Sequence, residues 1–148
     1  MGAAVSASPA PRAEGRSNPS SGAKAFQVSN PSPIAQARLS AALEQLAEVG
    51  IPAVAARVAE KAAQVIELAD EFGIPVTSPR DERERAGIVV LEPAIDQLTA
   101  LVASLHNHGV TVTARDTSVR VSVHTTTTEE SFAMLRAGFQ SFASATTL

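Results

Sequence analysis

Apolar residues recur along this chain in three- and four-residue steps over four long stretches, with shorter β-branched runs between the later ones. Leu39, Ala42, Leu43, Leu46 and Val49 form the first stripe, and this spacing predicts a helix over 33–49. Ser32 can accept a hydrogen bond from its first turn, and Pro33 suits the first helical position because its missing N–H is needed by nothing there. Gly50 supplies the stop. Pro52 opens a second helix over 52–72, whose buried stripe is Val54, Val58, Val65, Leu68, Ala69 and Phe72, with Gly73 beyond it. Residues 74–77 make a short apolar piece, a candidate strand. The next ten, SPRDERERAG, are charged and turn-like and read as a solvated loop. Residues 87–91, GIVVL, are short and β-branched, as a buried strand should be. Pro93 starts a third helix along Ile95, Leu98, Leu101, Val102 and Leu105, ended by Gly109. Residues 110–114 and 119–123 then read as a hairpin around ARDTS. Thr127 and Glu130 have the spacing of a capping box for a last helix that aligns Phe132, Leu135, Phe139 and Phe142 on one face.

The expected order is helix, helix, strand, strand, helix, strand, strand, helix. Stripes this apolar must be buried against something, and a few short strands offer one small sheet. The expectation is an α+β fold: a small, mostly antiparallel sheet covered on one face by helices. Residues 1–23, rich in Ala, Ser, Pro and Gly, should form a disordered tail, because they offer too little apolar surface to offset chain entropy. Residues 24–33, broken by Pro31 and Pro33, read as a linker, and 34–148 as the folded domain.

Composition narrows the chemistry. A hydrophobic fraction of 45% with 18% charged residues suits one globular domain. The net charge of −3 and the 3% aromatic content give no basic stripe or stacking platform for nucleic acid, and no attraction to an anionic membrane. No run of apolar residues is long enough for a membrane span, and the N-terminus lacks the apolar core of a signal peptide, so a cytoplasmic protein is expected. Cysteine is absent, which rules out a disulfide framework, a thiolate nucleophile and a cysteine-based zinc site. His106, His108 and His124 show no metal-ligand spacing, and the first two fall in a last helical turn, where the dipole favours imidazole. Glu129 and Glu130 sit at a helix start for the same electrostatic reason. No catalytic constellation is present.

Arg120 stands apart from these. Strand alternation places it opposite Val119 and Val121, and a guanidinium cannot shed its charge, so a partly covered one needs a partner. Arg115 lies at the hairpin turn nearby. Two arginines on neighbouring strand ends make a fork suited to a carboxylate, although an ordinary exposed edge arginine has the same spacing.

The segments GIVVLEP and GVTVTARDTSVRVSVHTTTTEESFAML resemble the small domain of class V aminotransferases and cysteine desulfurases, which are fold type I pyridoxal-phosphate enzymes. The pattern is carried by Gly109, Val110, Val112, Arg115, Val119, Arg120, Val121, Ser122, His124, Thr128, Glu129 and Glu130. Upstream, KAFQVSNPSPIAQARLSAALEQLAEVGIPAV looks like the segment that joins the large, cofactor-binding domain of that family to the small one. The resemblance covers roughly residues 22–145. It implies that Arg120 holds the α-carboxylate of a small amino-acid substrate, with Arg115 beside it. It also implies that Asn30 reaches the cofactor phosphate of a neighbouring subunit in a homo-oligomeric parent. The Schiff-base lysine and the acid at the pyridine nitrogen belong to the large domain, and neither Lys24 nor Lys61 matches the lysine position. The chain is therefore expected to be a fragment that is inactive alone and binds no pyridoxal phosphate without a large domain or homologous subunit as partner. Residues Thr125, Thr126 and Thr127 replace the family's F-Y-N, and Ser29 replaces a linker glycine. With no cysteine and a short hairpin, the chain looks more like the aminotransferase, epimerase and kynureninase-like branches. The competing expectation is a non-catalytic interaction or regulatory domain that has kept the small-domain fold.

Overall fold

The computed structural model describes residues 32–146, together with Ser21, Gly22, Ala25 and Asn30. The expected tail over 1–23 and linker over 24–33 fall largely outside the described residues. The chain divides into two compact units, Met1–Ala41 and Ala42–Leu148.

Helix α1 spans Pro33–Val49. The Ala35 N–H donates to Ser32 Oγ at 3.4 Å and the Gln36 N–H to the Ser32 carbonyl at 3.0 Å, so Ser32 closes the first turn as its side chain allows. The apolar stripe of α1 behaves differently from expectation: no residue of the helix is buried, and Leu39 and Leu43 are 61% and 55% exposed. Gly50, at φ +89°, ends α1, and α2 follows immediately over Ile51–Glu71. The first half of α2 is only partly covered at Val54 and Val58, and its core contribution begins at Ala62, with Val65, Ile66, Leu68 and Ala69.

The sheet has three antiparallel strands in the order β1-β3-β2, where β1 is Ile88–Leu91, β2 is Thr113–Arg115 and β3 is Ser118–Ser122. Val89 pairs with Val121 and Leu91 with Val119, and all four side chains are buried. They form the covered face. Helix α2 packs against β1, while α3 (Leu98–Asn107) packs on β3 and α4 (Glu129–Thr146). Phe132, Leu135, Phe139 and Phe142 of α4 join Leu101 and Leu105 of α3 in the same core, and the Phe139 ring meets Phe72 edge-on at 6.4 Å. The architecture is the α+β arrangement expected.

Three details differ. Residues 74–77 form no strand of their own; a single bridge from Val76 to Leu91 and the bonds Thr77 N–H to Val90 O and Glu92 N–H to Pro75 O line them along the outer edge of β1. The third helix starts at Leu98 and not at Pro93: Pro93 is buried, the Gln97 N–H closes a turn onto the Ala94 carbonyl at 2.8 Å, and Ile95 is left 70% exposed. The last helix is capped by Thr128, whose Oγ1 accepts from the Ser131 N–H at 3.2 Å, and not by Thr127, whose hydroxyl oxygen accepts from the His124 N–H at 2.9 Å. Among the described residues no single helix is long and apolar enough to cross a membrane.

Candidate functional site

The face of the sheet away from the helices is set by β3. Its alternation buries Val119 and Val121 and turns Ser118, Arg120 and Ser122 to the other side. Directly paired residues of antiparallel strands share a face, so Val90 and Thr113, the two cross-strand partners of Arg120, flank it there. Arg115 pairs with Ser118 and stands two residues along β2 from Thr113, which puts it on the same face as Arg120 at the diagonal position. The two arginines predicted to work together are therefore side by side. The hairpin between them is held by Asp116 at φ +47° and by the Ser118 hydroxyl donating to the Arg115 carbonyl at 3.1 Å. Asp tolerates this left-handed conformation better than most residues.

Their surroundings differ. Arg115 is exposed. Arg120 is half-buried, and its Nε is sealed from solvent without a hydrogen-bond partner. Val90 and Thr113 are its cross-strand neighbours on either side. The salt bridges among the described residues join Arg80 to Asp70 and Arg136 to Glu71, and neither involves Arg120 or Arg115. Glu92, the residue after β1, accepts from the Thr117 hydroxyl at 3.0 Å. A buried guanidinium N–H left without an acceptor costs about 1–3 kcal/mol, more for a charged group.

Asn30 is exposed, outside any regular element, and belongs to the first compact unit. The Thr125–Thr127 segment that replaces the family's F-Y-N is ordered around His124. Its Nδ1 lies 2.9 Å from Thr126 Oγ1 and accepts from the Thr126 N–H at 3.3 Å, which leaves the ring proton on Nε2 when the imidazole is neutral.

The residues described do not fit a self-contained pyridoxal-phosphate site. Lys61, the described lysine, is committed elsewhere: its ammonium donates to the Thr127 carbonyl and lies 5.6 Å from the centre of the Phe132 ring. Lys24 lies outside the described residues. No group of three His, Cys, Asp or Glu side chains among the described residues could hold a metal ion.

One polar residue was missed by the sequence reading. Arg85 sits in a run of alternating charge that reads as solvated, yet it is half-buried, and its Nε is, like that of Arg120, sealed and unpartnered. Only its position directly before the Ala86–Gly87 entry to β1 hints at this. No family model matches the chain, and no curated protein matches it in sequence.

Proposed function

We propose that this chain is the small domain of a class V aminotransferase-like, pyridoxal-phosphate-dependent protein, and that Arg120 holds the α-carboxylate of a small amino acid. The observation that carries the reading is the half-buried Arg120, its Nε without a partner, with Arg115 diagonal to it on the sheet face opposite the buried Val119 and Val121. A planar guanidinium presents two parallel donors to a carboxylate, so it fixes both the position and the rotation of the substrate. The cofactor belongs to a large domain or homologous subunit, which supplies the lysine and the acid that Lys61 and its neighbours do not. Pyridoxal phosphate provides the electron sink for amino-acid chemistry when bound there. Arg120 and Arg115 do the binding and orienting; Asn30 reaches towards the cofactor phosphate of a neighbouring subunit in a homo-oligomeric parent. The protein acts in the cytoplasm, with no role for nucleic acid or membrane.

The exposed stripe of α1 favours a second reading, a non-catalytic interaction domain that retains the small-domain fold. A chimera separates the two. Residues 24–148 are joined to the large domain of an active class V aminotransferase, and turnover of small amino acids is measured. The proposal expects turnover, with Arg120→Lys lowering kcat/KM by about 1.5–3 kcal/mol, the range for a hydrogen bond to a charged group. A folded, cofactor-loaded chimera whose turnover is indifferent to Arg120→Lys would favour the interaction domain.

A further inference from the structure

A second site lies elsewhere in the larger unit. Residues 82–87 run beside the first half of α2, and between them is an open cleft of about 620 Å³. That volume falls within the range of small-molecule pockets. The closeness of the two walls is fixed at Gly87, where an added Cβ would stand 2.8 Å from Val58 Cγ1 and 3.1 Å from the Val123 carbonyl. Ile51, Val54 and Val58 make the apolar side of the cleft, and Ala55, Ala59 and Ala63 leave the room that larger helix residues would take up. Arg85 forms the opposite side. One of its terminal nitrogens donates to the Arg80 carbonyl at 2.8 Å, which holds the guanidinium in place, while its buried Nε has no acceptor. Glu60, Glu82 and Arg83 complete the polar rim. None of them pairs with Arg85.

We infer that this cleft binds a small molecule with a carboxylate head and a compact, branched apolar tail. The carboxylate meets the Arg85 guanidinium at the cleft wall, and the tail covers Val54 and Val58. A guanidinium anchored through one nitrogen keeps a fixed plane, so it selects a planar two-oxygen head over a single acceptor. The alanines set the tail length at a few carbons. Such a head and tail can belong to a simple branched carboxylic acid or to a branched-chain amino acid, whose ammonium would meet Glu60 or Glu82. The inference rests on Arg85 and the cleft, and is independent of the role proposed for Arg120.

The test is a titration of the full chain followed by amide NMR, with isovalerate, leucine and isoamyl alcohol as probes. Isovalerate or leucine should produce saturable shifts at Val54, Val58 and Arg85 in the millimolar range, and isoamyl alcohol, with the same tail and no carboxylate, should bind at least tenfold more weakly. Leucine binding tighter than isovalerate would support the inference and assign the amino acid; the reverse order would support it and assign the simple acid. Arg85→Gln should weaken the better probe at least tenfold. Ala55→Phe, a change at an exposed helical position that fills the cleft, should abolish its shifts while leaving the guanidinium intact. No saturable shift with either carboxylate, or binding unaffected by Arg85→Gln, would overturn the inference.

Discussion

Gly138→Ala sets two effects of similar size against each other, and the structure decides between them. Gly138 is buried in α4, where alanine is favoured over glycine by about 1 kcal/mol of helix propensity. The new methyl would stand 2.9 Å from Leu105 Cδ2 and 3.3 Å from Leu105 Cα. Carbon atoms in contact prefer about 3.5–4.0 Å, so Leu105 would have to retreat by roughly 0.6 Å or more. It has nowhere to go, because Leu105 is fully buried and its backbone is one of the atoms in the way. Forcing a methyl into a packed core of this kind costs about 1–3 kcal/mol. The same displacement would stretch the 2.8 Å bond from the Ser104 hydroxyl to the Gly138 carbonyl, itself worth about 0.5–1.5 kcal/mol. Steric cost and strained bond together exceed the propensity gain, and the net expectation is a loss of about 1–2 kcal/mol. Urea denaturation followed by circular dichroism at 222 nm reads this directly. With a slope of about 2 kcal/mol per molar urea, the midpoint should fall by roughly 0.5–1 M. A midpoint equal to or above that of the parent would show that α3 and α4 can separate without cost, and would refute the account of their packing.

Three further outcomes are expected. Thr128→Ala should remove the cap of α4 and cost about 1 kcal/mol in the same denaturation assay; no loss would return the cap to Thr127. The hydrogen bond from Arg80, and secondarily its charge, hold the Asp70 carboxyl below its ordinary value of 3.8. A depressed acid contributes stability that is present above the unfolded value and lost as pH falls through the folded one, so the advantage of the parent over Asp70→Asn should be complete near neutrality and should shrink steadily as pH falls below 3.8 through the depressed folded value; an advantage that does not shrink over that range would contradict the pairing. The exposed stripe of α1 should drive self-association at high concentration, visible in sedimentation velocity and reduced by Leu43→Glu; a sharp monomer in the parent would count against that stripe as an interface.

Much of the fold was legible because periodicity reports which side of an element is apolar. The faces of α4 and β3 followed from Phe132, Leu135 and Phe139 at helical steps and from Val119 and Val121 at strand steps. Periodicity does not report whether a partner is present. The stripe of α1 recurs at helical steps as a core-facing stripe does, yet no residue of the helix is buried. Local signals also compete. Pro93 fits a helix start, but its burial and the turn from Ala94 to Gln97 use those residues to carry the chain away from β1 first. Four consecutive threonines offer four possible caps; the spacing to Glu130 points to Thr127, and tertiary structure overrides it by giving that hydroxyl to the His124 N–H. At the candidate site, strand alternation was enough to place Arg120 opposite Val119 and Val121, whereas the sequence left Arg115 in the turn, and only its pairing with Ser118 puts it on the face of Arg120. The unmet need of the Arg120 Nε was not legible, because burial of one side-chain atom depends on tertiary surroundings, among them neighbours such as Val90, thirty positions away, that only sheet pairing brings alongside. Arg85 escaped notice for the same reason, hidden in a charged run whose fold against α2 has no local signature.

The most direct test of the central claim is a two-by-two cycle that varies both ends of the proposed contact. In the chimera of residues 24–148 with an active class V large domain, Arg120 and Arg120→Lys are each assayed with an amino acid and with the corresponding amine, which lacks the carboxylate. If Arg120 holds that carboxylate, the arginine-to-lysine loss of about 1.5–3 kcal/mol in kcat/KM should appear with the amino acid and vanish with the amine, because the amine offers nothing for the guanidinium to grip. An equal loss with both substrates would mean that Arg120 serves the fold and not the substrate, and the carboxylate assignment would be wrong.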